Sequence, residues 1–150
     1  MPRIVREAEI DWLGTTARGS GVVRAASTGS FELAATVASR IEIVEGKTSP
    51  EELLAAAHAT CFVTSFGSEL ARLAAPPERM HVRCTITMDE VDGKGHFIVA
   101  SAISASVVAT GADDAILAAA AAAADEGCPF SALIRASATV TVQATLEGGS

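Results

Sequence analysis

The segment that begins Thr48-Ser49-Pro50-Glu51-Glu52 constrains the fold more than any other part of the chain. Ser49 or Thr48 can cap the start of a helix, Pro50 fits its first turn, and the acids favour the positive end of the helix dipole. Over residues 53–66, apolar side chains occupy almost the whole circumference of the predicted helix. A helix of this kind belongs inside a core or an assembly. The sequence therefore predicts a long buried central helix, which stops at Ala75-Pro76-Pro77.

Strand patterns precede and follow this helix. Turn residues and short-period alternation predict strands over residues 4–12, 21–26, 31–37, 80–91, 96–108 and 138–146. A second helix is predicted over residues 112–126, with Gly127 as a left-handed cap, and Cys128-Pro129 opens a short helical turn. Residues 40–47 are interpreted as a polar connection, and the alanines at 118–124 allow close helix packing. The order predicts an α+β fold with antiparallel sheets, in a single domain over residues 1–150.

Charge and hydropathy exclude several classes of partner. The 150 residues carry 11 Lys and Arg against 18 Asp and Glu, a net charge of −7, and phosphate binding needs clustered cations. The longest apolar run, residues 115–124, is shorter than the roughly 18 residues of a membrane span. The N-terminus has no apolar segment of signal-peptide length, and three cysteines cannot all pair within one chain. We therefore predict a cytoplasmic protein with reduced thiols and no nucleic-acid or membrane partner.

Two histidine–cysteine pairs share one spacing, His58-x-x-Cys61 and His81-x-x-Cys84. On a helix the first pair lies on one face and is a candidate zinc ligand pair. On a strand the second pair points to opposite faces, and Cys84 alternates there with apolar residues, which indicates a buried structural thiol. His58 is interpreted as packed or hydrogen-bonded, with general base as the alternative.

Cys61 and Cys128 are the two cysteines that can carry chemistry. Burial among Ala and Phe raises the pKa of a thiol such as Cys61 unless a cation lies nearby. Cys128 faces the amide dipoles at a predicted helix start, which favour its thiolate. From the residues alone, both remain equally interpretable as small core side chains.

The run SPEELLAAAHATCF at residues 49–62, followed by Gly127-Cys128-Pro129, closely resembles the OsmC/Ohr family of thiol peroxidases. Arg40 and Trp12-x-Gly14 agree with that resemblance, which covers nearly the whole chain. His58 and the position of Arg40 are similar to the OsmC branch rather than the Ohr branch. The resemblance implies an OsmC-like fold, an intertwined homodimer, and reduction of organic hydroperoxides in preference to hydrogen peroxide.

The resemblance also implies roles for individual residues. Cys61 matches the peroxidatic cysteine, which becomes a sulfenic acid, and Cys128 matches the resolving cysteine, which condenses with it to a disulfide. Arg40 matches the arginine that stabilises the thiolate, with Arg18 and Arg24 as alternatives, and Glu51 matches the carboxylate that orients it. No metal or organic cofactor is implied. Electrons come from an external dithiol, of the lipoyl type more readily than thioredoxin.

Helix geometry adds an argument that does not depend on the family. Glu51 and Cys61 are ten residues apart, about 15 Å along a helix, and an arginine side chain spans only about 6–7 Å. We therefore predict that Arg40 and Glu51 serve the Cys61 of a second copy. A homodimer would also cover the apolar circumference of the helix.

Two interpretations compete with the peroxidase. A protein of the same fold can bind a small apolar ligand or act as a redox sensor without turnover, and a zinc protein would use His58 and Cys61. Phe62, Phe66 and Met80 are interpreted as core residues, with a pocket for the organic part of a hydroperoxide as the alternative.

Overall fold

The computed structural model describes residues 1–147 and divides the chain into two compact units, the first Met1–Leu53 and the second from Leu54 onward. Helix α2, introduced below, begins in the first unit and continues in the second. Within the described residues, no single helix is long and apolar enough to cross a membrane, and one bent pair, Asp114–Gly127 with Pro129–Arg135, passes that test on length and composition only.

The first unit is a four-stranded sheet with a short helix. Its elements are β1 (Ala8–Leu13), β2 (Ser20–Ala25), β3 (Glu32–Ala35), α1 (Ala38–Ile41) and β4 (Lys47–Thr48). Strands β1, β2 and β3 pair antiparallel in sequence order, and β4 joins β3 in parallel. The three predicted strands are confirmed, β1 and β3 with shorter bounds and β2 shifted by one residue. The predicted polar connection over residues 40–47 was wrong in part, because it contains the end of α1 and the start of β4.

The second unit is a three-stranded sheet covered by helices. Its elements are α2 (Pro50–Arg72), β5 (Arg79–Val91), β6 (Gly95–Val108), α3 (Asp114–Gly127), α4 (Pro129–Arg135) and β7 (Thr139–Leu146). Strands β5 and β6 form the predicted antiparallel hairpin, and β7 lies parallel to β6 because α3 and α4 carry the chain back along the sheet. The α+β class is confirmed, and each sheet contains one parallel pair that the sequence did not predict.

Helix α2 begins where its capping residues place it. The hydroxyl of Ser49 accepts the backbone N–H of Glu52 at 3.2 Å, which confirms Ser49 as the cap. The helix buries a residue at every fourth position: His58, Phe62, Phe66 and Leu70. The opposite face is exposed in the single chain, so its burial, which the sequence predicts for a core or an assembly, stays a prediction for the assembly. On that face, threonine and serine hydroxyls bond to carbonyls of the preceding turn.

The core of the second unit forms where α2 meets β6 and α3. Phe62 and Phe66 are fully buried, with ring centroids 5.4 Å apart, which confirms their interpretation as core residues. The same cluster contains alternate residues of β6, such as Ile103, and three alanines of α3. The alanine run at 118–124 therefore does what its small side chains predict, since it brings α3 close to its neighbours.

The end of α3 differs from the prediction. Gly127 is the last helical residue and not a left-handed cap, and Cys128 follows it in an extended conformation with φ −85° and ψ 113°. Pro129 explains the difference, because a residue before proline is disfavoured in the helical region. Cys128 therefore ends α3 and also caps α4, and the predicted helical turn from Pro129 is confirmed.

Replacing Phe66 by alanine should lower the free energy of unfolding by about 3–5 kcal/mol, because it opens a cavity among fully buried core residues. Thr64→Ala, on the exposed face of the same helix, is the matched control and should change stability by less than about 0.5 kcal/mol. Urea unfolding at fixed protein concentration measures both. Equal losses for the two variants would contradict this description of the core.

Candidate active site

Cys61 and Cys128 lie side by side, although 67 residues separate them in the sequence. Cys61 is in the middle of α2 and is partly exposed, whereas Cys128 is fully buried between α3 and α4. Their Sγ atoms are 3.1 Å apart. Sulfur atoms in a disulfide are about 2.05 Å apart, so a movement of about 1 Å would join these two thiols.

The start of α4 surrounds Cys128 with hydrogen-bond donors. Its Sγ accepts the backbone N–H of Ser131 at 3.5 Å, as expected for a residue that caps a helix. Burial acts to raise the pKa of Cys128, but hydrogen bonds from the Ser131 backbone and hydroxyl, the Cys61 thiol and the Phe130 N–H hold that pKa below the ordinary thiol value. The predicted effect of the helix start on Cys128 is confirmed in direction.

The pKa of Cys61 is shifted in the opposite direction. Burial raises its pKa, the hydrogen bond to Cys128 raises it further, and the N–H of Phe130 opposes both effects. This agrees with the prediction for a thiol among apolar neighbours. Within this chain, then, Cys128 gives up its proton more readily than Cys61, and Cys61 needs additional positive charge to become a thiolate at neutral pH.

Arg40 and Glu51 form an ion pair in the first unit. The Nε of Arg40, in α1, donates to Oε1 of Glu51, in the first turn of α2, at 2.9 Å. The Arg40 side chain is 50% exposed and that of Glu51 only 16%, so the carboxylate holds the guanidinium at the surface of its unit. The Glu51 carboxylate therefore lies between the guanidinium of Arg40 and the N-terminal end of α2.

Of the two alternative cations, Arg24 is engaged elsewhere. Its guanidinium lies 2.6 Å from Asp11, 3.6 Å from Glu9 and 3.8 Å from Glu32 on the first sheet. These three carboxylates raise its pKa and hold it on β2. Arg24 is therefore held on the first sheet by its own carboxylates.

His58 is completely buried beside the cysteine pair, and its hydroxyl partners were not predicted. Its Nδ1 is 2.7 Å from the hydroxyl of Ser101, on β6, and its Nε2 is 2.8 Å from the hydroxyl of Ser131, on α4. Both serines are fully buried. The interpretation of His58 as hydrogen-bonded is confirmed. A signal did exist for Ser101, because it occupies the inward register of β6 that Ile103 and Val107 continue.

The same contacts bear on the zinc interpretation. Both ring nitrogens of His58 lie within hydrogen-bonding distance of serine, which leaves neither facing a metal ion. Over residues 1–147, no three His, Cys, Asp or Glu side chains come together as a metal site. Cys84 packs against the core on the face of β5 opposite to the exposed His81, as predicted, and burial raises its pKa.

Comparison with known proteins assigns the family. The sequence profile of the family described as OsmC-like protein matches residues 44–143, two thirds of the chain. The chain belongs to the OsmC family. The matched region contains Glu51, Cys61 and Cys128, so the predicted family resemblance is confirmed where the candidate site lies.

Relatives of the OsmC family extend the match to nearly the whole chain. The sequence is 29% identical over 140 residues to Peroxiredoxin OsmC of Escherichia coli, covering 93% of this chain and 96% of that one. Two crystal structures share the fold. An organic hydroperoxide resistance protein OsmC from Legionella pneumophila has a TM-score of 0.75 at 22% identity, covering 95% of this chain and 99% of that one. OhrB of Bacillus subtilis has a TM-score of 0.67 at 19% identity, with 93% and 98% covered.

Proposed function

We propose that this protein is a thiol-dependent peroxidase that reduces organic hydroperoxides, and hydrogen peroxide less well. The observation that carries the proposal is the 3.1 Å approach of Cys61 Sγ to Cys128 Sγ, which places two thiols within reach of one disulfide. The names of its relatives support the same class, since one is a peroxiredoxin and another an organic hydroperoxide resistance protein.

The chemistry proceeds in two steps. The Cys61 thiolate attacks one peroxide oxygen, the O–O bond breaks, the alcohol leaves with a proton, and Cys61 becomes a sulfenic acid. Cys128 then attacks the Cys61 sulfur, the S–O bond breaks and water leaves as the disulfide forms. An external dithiol returns two electrons and two protons. We expect a lipoyl-type dithiol to serve better than thioredoxin, and the protein to act in the cytoplasm without metal or organic cofactor.

Cys61 is proposed as the attacking residue because it is the more exposed of the two thiols and hydroperoxide must reach it. Since burial raises its pKa, it needs a cation. The ion pair of Arg40 with Glu51 supplies one. Cys61 lies ten residues beyond Glu51 on α2, about 15 Å along the axis. We therefore propose that the pair acts on the Cys61 of a second copy, in a homodimer with two sites.

Peptide mass spectrometry tests the proposal directly. The three cysteines fall in three different tryptic peptides, residues 48–72, 84–94 and 95–135. After one equivalent of cumene hydroperoxide without reductant, and alkylation of the remaining thiols, we expect a Cys61–Cys128 disulfide and an alkylated Cys84. If Cys61 stays reduced, or oxidises no faster than Cys84, the peroxidase proposal fails.

Binding of a small apolar ligand is the second candidate, and one observation favours it. The first unit has an apolar groove of about 290 Å³ between the sheet and the start of α2, lined among others by Ile10, Val23 and Leu53. Turnover distinguishes the two functions. A peroxidase consumes many equivalents of hydroperoxide when a dithiol is supplied, whereas a binding or sensing protein is oxidised once.

A further inference from the structure

A buried polar chain leads from the cysteine pair into the core of the second unit. His58, Ser101 and Ser131 are each completely shielded from solvent. The imidazole connects the two hydroxyls, with Ser101 at 2.7 Å from Nδ1 and Ser131 at 2.8 Å from Nε2. Burying three polar side chains in an apolar core is costly unless all are paired. Packing alone would be served as well by apolar residues at these three positions.

The Ser131 end of this polar chain reaches Cys128. The backbone N–H of Ser131 donates to Cys128 Sγ at 3.5 Å, and the Ser131 side chain lies close enough to help lower the pKa of Cys128. The Ser131 hydroxyl contacts His58 Nε2. Ser131 therefore contacts both the imidazole, through its hydroxyl, and the Cys128 sulfur, through its backbone N–H, and that sulfur lies 3.1 Å from Cys61.

His58 is neutral in this setting and can take up a proton. Burial lowers its pKa, with Arg135 acting in the same direction and Asp125 against it, and Arg135 and Asp125 form an ion pair with each other. A neutral imidazole donates from one nitrogen and accepts at the other. When Nε2 is the acceptor, it takes the Ser131 hydroxyl hydrogen, and the Ser131 oxygen is then placed to receive the proton of the Cys128 thiol.

We propose that His58, acting through Ser131, takes the proton that Cys128 loses when it attacks the Cys61 sulfenic acid. The inference rests on the proposed function and concerns its second step alone. The Cys128 sulfur forms the S–S bond, the Cys61 S–O bond breaks, and hydroxide departs. The thiol proton moves to the Ser131 oxygen while the Ser131 proton moves to Nε2. The polar chain of His58 and Ser131 then returns a proton, which converts the hydroxide to water. Ser131 contacts the reacting sulfur, and His58 is a positioning residue behind it.

The far side of His58 identifies a control. Cys84 Sγ lies 3.3 Å from the Ser101 hydroxyl and 3.7 Å from His58 Nδ1, so it touches the polar chain away from Cys128. Cys84→Ala disturbs the same buried cluster without interrupting the path from Cys128 through Ser131 to Nε2. It reports what loosening of the core does by itself.

Two variants interrupt the path in different ways. Ser131→Ala removes the hydroxyl that contacts His58 Nε2 and keeps the backbone N–H that contacts Cys128. His58→Gln places an amide nitrogen near the position of Nε2, so it can still donate to Ser131 but cannot accept a proton. Rapid quenching after one equivalent of cumene hydroperoxide separates the two steps, with a dimedone adduct counting sulfenic acid and non-reducing mass spectrometry counting disulfide.

In both variants we expect Cys61 to be oxidised at the wild-type rate and the disulfide to form at least tenfold more slowly near pH 6.5. The pH profile is the readout that a structural role would not move. In the wild type, the rate should be flat above the pKa of His58, which burial lowers, and should fall beneath it. In His58→Gln, it should rise about tenfold per pH unit until Cys128 is ionised, because only the thiolate then reacts.

Disulfide formation at the wild-type rate in folded Ser131→Ala would overturn the inference, and so would an equal slowing in Cys84→Ala. If His58→Gln does not fold, Ser131→Ala decides the question, since it deletes a single oxygen. Failure of the proposed function is a separate result, because the wild-type protein itself would then form no Cys61–Cys128 disulfide.

Discussion

Cys61→Ser will lose hydroperoxide reduction, by at least about a thousandfold, because a serine hydroxyl is not ionised at neutral pH and cannot replace the thiolate as the nucleophile. The measurement is consumption of cumene hydroperoxide with an excess of dithiol. Cys128→Ser should behave differently. It should still reduce the first equivalent, since Cys61 is intact, and then accumulate a Cys61 sulfenic acid that dimedone traps and that further peroxide converts to sulfinic acid.

The matched control is Cys84→Ser, which removes the third thiol and keeps a hydroxyl beside Ser101. It should leave the rate unchanged, because Cys84 packs against the core and burial raises its pKa. The result that would reverse the assignment is Cys128→Ser failing at the first equivalent while Cys61→Ser still reduces peroxide. That outcome is a real test, since the pKa of Cys128 is the lower of the two within this chain.

Local chemistry explains which elements the sequence predicts well. Ser49 and the acids after it place the start of α2, and turn glycines such as Gly93, with φ +76°, separate the two long strands of the hairpin. These signals act within a few residues, so the elements can be predicted without knowledge of the tertiary structure. The elements that were not predicted depend on contacts between distant parts of the chain. Strand β4 has two residues, and its parallel pairing with β3 is decided by the fold around it.

Some residues of the candidate site were predicted from the sequence and others were not. Cys61, Cys128, Arg40 and Glu51 were singled out from the sequence, and the structure pairs the two cysteines with each other and the two charged residues with each other. The serines beside His58 were missed, because they lie 43 and 73 residues further along the chain. Periodicity reports which face of an element is buried, but it does not report which polar residues on two such faces will meet.

The proposed contact of Arg40 with the Cys61 thiol of a second copy can be tested with mixed dimers. Arg40→Met alone should lower activity about 10- to 100-fold, because each unit by which the Cys61 pKa rises costs tenfold in thiolate. Co-expression of Arg40→Met and Cys61→Ser chains with different tags allows the mixed dimer to be isolated. If Arg40 acts across the dimer, one of its two sites has both residues, and the mixed dimer should recover about half of the wild-type activity.

A second mixed dimer, with both substitutions on one chain, should give the opposite result and serves as the control. A chain that carries both substitutions, paired with a wild-type chain, has no complete site if Arg40 acts across the dimer, but one complete site if it acts within its own chain. We therefore expect activity from the first mixed dimer and little from the second. Activity from the second mixed dimer alone would place Arg40 beside the Cys61 of its own chain. Arg40 would then have to leave Glu51, which is ten residues from Cys61 on α2. Glu51→Gln separates these cases further, since it should impair only a site in which the carboxylate holds the guanidinium in place.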